Sequence, residues 1–207
     1  SHVGALKYSW DAKRRPGFEL DFFAVPGGGG PWYRFENGKL VVYVPPERSL
    51  FSTIEGADAA GTDITSYDVI LFSAVGFFPA SNDYLTHAME PHPLGVVRCA
   101  EWPAGPADPR RPVSRAVFDE VVEGALREAH TVLSCLAVAE GANRPVFVQP
   151  MPPPSLALCS NPDWRMVQWN GSGAQPWGEA YYAAQLRGLR TIAAGSGYDI
   201  RVLDYPP

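Results

Sequence analysis

A three-layer α/β/α sandwich with a mainly parallel sheet is the fold class this sequence predicts, and three observations predict it. Segments with helical spacing of apolar residues alternate with short apolar runs. One of those runs, YDVILFSAVG (67–76), has almost no polar interruption, the pattern of a strand covered by helices on both faces. The 21 prolines and 20 glycines cluster in stretches such as PGGGGP, EPHPLG, EWPAGPADPRRP and QPMPPPS, so they punctuate a folded chain instead of forming one disordered tract. With 207 residues, 46% of them hydrophobic, the chain suffices for one domain with one substantial core, spanning 1–207.

The elements follow in order. A first helix is expected over His2–Arg15, with Val3, Leu6 and Trp10 at near-helical spacing and Pro16-Gly17 as its stop. FELDFFAV (18–25) reads as a short apolar strand running into PGGGG. A small β-hairpin insertion is expected over 33–44, because Asn37-Gly38 supplies the positive φ angles of a tight turn. After the strand at 67–76, one long amphipathic helix is expected over Ser114–Glu140, with Val117, Val121, Leu126, Val132, Leu133 and Leu136 as its apolar positions. PVFVQP (145–150) is a further buried strand, Gly178–Ala194 a second long helix, and YDIRVLDYPP (198–207) a last strand. Strands alternating with helices imply crossover connections and a layered sheet whose site forms at the carboxyl ends of the strands.

Composition removes several function classes. The net charge is −5 and the basic residues are scattered, so the clustered Lys and Arg that drive nucleic-acid binding are missing. No apolar run reaches the ~18 residues that span a bilayer, and no signal peptide is visible. Cys99, Cys135 and Cys159 are far apart and form no CxxC pair, so neither a zinc site nor a disulfide framework is expected. Both features favour a reducing, cytoplasmic setting; the oligomeric state is not legible. DYLTHAMEPH (83–92) places Asp83, His87, Glu90 and His92 together, a donor set that suits zinc. Pro91 and Pro93 break any helix that would converge them, and the expectation is no metal and no cofactor.

Two readings of the start of the chain lead to different proteins. Ser1 is a favoured residue for capping the helix that follows it, a role worth about 1 kcal/mol. It is also well placed as a nucleophile, because the free N–H groups and positive dipole end of a helix start stabilise negative charge beside the hydroxyl. PGGGG similarly reads as a flexible loop, as a weak phosphate-loop candidate without GxGxxG or GK[ST], or as a backbone N–H donor loop.

SHVGALK…W followed by FELDFFAVPGGGG resembles the opening of the SGNH (GDSL-like) hydrolase superfamily, closest to a bacterial branch whose first motif runs Gly-Asn/Asp-Ser-His. Only the first thirty residues match at motif level, while the order of elements agrees over most of the chain. The resemblance implies a flavodoxin-like sandwich in which Ser1 is the nucleophile and a glycine, Gly27 or Gly28, donates its N–H to the oxyanion. A third donor, an asparagine after the strand ending Val75-Gly76, is implied as well. Phe78 stands at that position here, so Asn82 is the nearest substitute. The Asp and His that the family carries as DxxH after its last strand are not found among the 207 residues. The chain is therefore expected to lack both its first strand and its C-terminal DxxH segment; His87 or His92 could stand in as the base.

Trp164, Trp169 and Trp177 lie among small polar residues in NPDWRMVQWNGSGAQPWGEAYY (161–182), a composition that suits the apolar faces and hydroxyls of sugar rings. The expected function is a serine esterase or O-acyltransferase acting on an acylated, for instance O-acetylated, carbohydrate or a small ester. The alternative is a non-catalytic glycan-binding or scaffold domain that keeps the fold, with Ser1 a helix cap and the three tryptophans carrying the binding. A metal-dependent hydrolase built on His87 and His92 is a third.

Overall fold

A computed structural model describes residues 2–13, 16–24, 33–37, 39–42, 51–53, 62–76, 97–101, 111–142, 144–150 and 174–204. They form a mixed α/β fold whose central sheet is parallel, with four helices among the described residues.

Helix α1 spans His2–Ala12 and ends earlier than the sequence suggests. Lys7 and Asp11, four residues apart on its surface, form an ion pair. The amide of Lys13 closes the last turn on the Trp10 carbonyl at 3.0 Å, and Gly17 then takes φ 83°, a left-handed conformation that favours glycine. The strand expected over 18–25 contracts to β1, Phe23–Ala24, which pairs antiparallel with β4, Phe51–Ser52, and so stands outside the parallel sheet. A polar strut fixes this pair: Asp21 accepts hydrogen bonds from Thr53 Oγ1 at 3.1 Å and from the Tyr67 hydroxyl at 2.7 Å. The hairpin forms as expected, β2 (Tyr33–Glu36) against β3 (Lys39–Val42), with Asn37 at φ 52° in the turn. A third strand, β5 (Thr62–Asp63), adds to β3.

The central sheet has the order β10–β9–β6, all parallel: β6 is Ile70–Val75, β9 is Val146–Pro150 and β10 is Ile200–Val202. Between β6 and β9 lie a small parallel pair, β7 (Val97–Cys99) with β8 (Arg111–Val113), and two helices.

Those two helices correct the single helix expected over Ser114–Glu140. Helix α2 spans Arg115–Glu128, capped by the Ser114 hydroxyl, which accepts from the Val117 amide at 3.4 Å. Ala129 then turns extended (φ −67°, ψ 125°), and its carbonyl accepts from Val132 and Leu133 to begin helix α3, His130–Ala142. The break changes which side chains face inward. Phe118, Val122 and Leu126 are the buried stripe of α2, whereas α3 buries Val132, Cys135, Val138, Ala139 and Ala142. Leu133, counted as core for an unbroken helix, is 47% exposed.

Helix α4, Ala174–Ser196, is longer at both ends than expected. It buries Tyr181, Gln185, Leu189 and Ile192 at spacings of three and four, and packs on both α2 and the sheet. Gly188 lets α4 approach α2 closely, since a Cβ there would sit 2.7 Å from Leu126 Cδ1. Arg187 reaches across to both carboxylate oxygens of Asp119, at 2.9 and 3.1 Å. The helix closes with Ser196 Oγ donating to the Ala193 carbonyl and Gly197 at φ 77°.

The sheet's two faces differ. Val146, Val148, Ile200 and Val202 face α3 and α4, where a small cavity is lined by apolar side chains and Cys135. The opposite face carries Leu71, Ser73, Phe147, Gln149 and Arg201 by strand alternation and register. Leu71 there is 51% exposed, so at this position β6 lacks the cover on both faces that its apolar sequence suggests.

Candidate functional site

β6 reads ILFSAV and β9 reads VFVQP, so each core strand carries one polar side chain, Ser73 and Gln149. The parallel register sets these two residues opposite each other near the carboxyl ends of the strands. Ser73 Oγ donates to Gln149 Oε1 at 2.9 Å, and both residues are half-buried. The amide nitrogen of Gln149 makes no hydrogen bond to another described residue.

The backbone beside this pair is strained. Ala74 takes φ 63°, which a residue with a Cβ adopts at a cost, and the register slips between Ser73 and Val75. Gly76 follows at φ 129°, a conformation open to glycine. Thr131, in the first turn of α3, holds this turn from the side. Its hydroxyl accepts from the Gly76 amide and donates to the Gly76 carbonyl, each at 3.3 Å. The extended Ala129 places the start of α3 here; an unbroken helix would carry Thr131 as an interior residue. The carboxyl end of β6 is thus a bulged, clamped strand end with a polar pair beside it, at the edge where parallel sheets build their sites.

Among the described residues, neither Ser73 nor Gln149 bonds to a charged side chain, and none of them stands as a base to take the Ser73 proton. The shifted titrations lie elsewhere. Burial, with the hydrogen bond to Asp21, pushes the Tyr67 hydroxyl up to about 12. Burial alone pushes the Cys135 thiol to about 12, against the low values of reactive cysteines. Among the described residues, no three His, Cys, Asp or Glu side chains group as a metal site would. No described helix is long and apolar enough to cross a membrane.

Ser1, Gly27, Gly28, Asn82, Trp164 and Trp169 lie outside the described residues, as do Asp83, His87, Glu90 and His92. Trp177 is not in a loop: its backbone belongs to the beginning of α4. His130 opens α3 instead of lying within a long helix. Reasoning from sequence passed over Ser73, Gln149 and Thr131. The available signal was one polar residue in each of two otherwise apolar strands, and only pairing makes it meaningful.

Comparison of the chain with protein-family models, with curated proteins and with solved structures gave no match.

Proposed function

We propose that the protein is a serine esterase or O-acyltransferase of the SGNH type, built as a three-layer sandwich and acting on an acylated carbohydrate or a small ester. The observation that carries this reading is α1. The helix begins at His2, so Ser1 precedes a helix start, where free N–H groups and the dipole favour a developing anion. The order β10–β9–β6 supports it further, since three parallel strands in chain order are what one half of a doubly wound sheet would present.

In this reading the Ser1 hydroxyl adds to the acyl carbon. The carbonyl electron pair moves onto oxygen and is held by the N–H of Gly27 or Gly28, assisted by Asn82. The alcohol leaves, and water or an acceptor hydroxyl then releases the acyl group. Each proton passes through an imidazole oriented by a carboxylate. The histidines of the chain are His2, His87, His92 and His130, and none stands in a DxxH motif. A second reading is a glycan-binding or scaffold domain of the same fold using Trp164, Trp169 and Trp177, which stand among small polar residues in the sequence.

A fluorophosphonate probe followed by peptide mass mapping tests the choice. The expected result is label on Ser1 that is lost in Ser1→Ala. Retention of label in Ser1→Ala, or no label on the intact protein, overturns the hydrolase reading. Loss of glycan retention in Trp169→Ala would then support the binding domain.

A further inference from the structure

We propose that Ser73 and Gln149 form a binding subsite for an uncharged acceptor oxygen, an ester carbonyl or a hydroxyl, at the carboxyl end of β6 and β9. Apolar strands exclude polar side chains unless something offsets the desolvation. Here each strand admits one, and the register brings the two into contact at 2.9 Å. The pairing also orients Gln149. Its Oε1 is taken by the Ser73 hydroxyl, so its two amide N–H donors point away from that bond. A half-buried amide without a partner among the described residues gains from a ligand or water that accepts.

Charge and position narrow the ligand. With no charged side chain bonded to the pair among the described residues, these groups offer an anion no ion pair, and a neutral carbonyl or hydroxyl oxygen fits them better. The strained Ala74 and the Thr131 clamp on Gly76 fix the strand end beside the pair, so the donors are held before a ligand arrives. Such preorganisation makes Gln149 a determinant of specificity. Identifying the acceptor as an ester carbonyl rests on the acyl-transfer reading; the subsite itself does not.

The test is nuclear magnetic resonance on the full chain carrying Ser1→Ala, so that no ester is consumed. The side-chain amide pair of Gln149 is followed during titration with three probes. Triacetin offers ester carbonyls without hydroxyls, methyl α-glucopyranoside offers hydroxyls without an ester, and inorganic phosphate offers an anion. Saturable displacement by triacetin is expected, with little response to phosphate. Displacement by the glucoside alone would keep the subsite and make its ligand a hydroxyl. Read on the Gly76 amide, Gln149→Leu should weaken binding about tenfold. Gln149→Glu, which keeps the shape and removes the donors, should do likewise. No saturable shift with either neutral probe, or an equal response to phosphate, overturns the proposal without any Gln149 variant needing to fold. Unchanged affinity in a folded Gln149→Leu overturns it too. The two readings fail separately. Displacement at Gln149 without fluorophosphonate label at Ser1 of the unsubstituted protein removes the hydrolase and keeps the subsite. Label without displacement does the reverse.

Discussion

The two faces of the β10–β9–β6 sheet are made by the same strands and have different work. Val146 is fully buried and Val148 is 3% exposed, both against helices α3 and α4. Their neighbours along β9, Phe147 and Gln149, look out on the other side beside half-exposed Leu71 and Arg201. Alternation therefore separates roles at single-residue resolution: the inward set excludes water, while the outward set keeps the polar groups a ligand could use.

The sharpest way to break this contrast is to truncate one leucine on each side. Leu189 of α4 is 4% exposed and lines the cavity against the sheet; Leu189→Ala should cost about 2–5 kcal/mol. Leu71→Ala removes the same atoms from a side chain already 51% exposed and should cost about 1 kcal/mol or less. Urea unfolding of both variants measures the difference. Equal losses would mean that Leu71 lies in a second core and that the open face is covered in solution.

How much of this contrast the chain discloses before folding depends on the range of the interactions. Both long core strands and the Tyr181, Leu189 and Ile192 positions of α4 follow from local periodicity, and the Asn37 turn from local backbone preference, whereas buried Gln185 takes the place periodicity gives to Leu186. The break at Ala129 has no such signal. Alanine is the best helix former, and neither glycine nor proline marks the site. What turns the chain there is the packing of α3, whose inward face runs through Val132 and Cys135 instead of Leu133. Strands β4, β5, β7 and β8 are two or three residues long and exist only through distant partners, which periodicity cannot detect. The Ser73–Gln149 pair joins positions 76 residues apart, so only the register of the sheet reveals it.

Alkali should separate the inward face from the strut at β1. Burial holds the Cys135 thiol neutral up to about 12, whereas its ordinary value is 9.0. The unfolded chain therefore releases this proton first. The contribution is fully present below about pH 9 and is lost as pH rises from there toward 12. Tyr67, raised from 10.0 to about 12, acts in the same direction from a higher starting point, and its partial exposure weakens the effect. Melting curves between pH 7 and 10.5 should fall less steeply in Cys135→Ala than in the unsubstituted chain, with a smaller relief in Tyr67→Phe. Parallel slopes in all three proteins would mean that the thiol is not shielded by α3 and the sheet.

The smallest effect belongs to Arg201, the outward residue of β10. Its guanidinium lies 5.5 Å from the centre of the Phe147 ring and also bonds both carboxylate oxygens of Asp199, at 2.9 and 3.0 Å. The carboxylate of Asp199 raises the Arg201 pKa further, so its charge does not vary across the accessible range. Water screens both contacts, and the aliphatic stem shields part of the ring as much as the charge attracts it. Arg201→Ala should lower the melting temperature by about 2 °C, and Arg201→Met, which keeps a stem over Phe147, by less. A loss comparable to that of Leu189→Ala would place Phe147 in the core and erase the difference between the faces. A small loss, fully recovered by methionine, would show that the outward face needs shielding and little else for stability, which leaves Ser73 and Gln149 free to answer to a ligand.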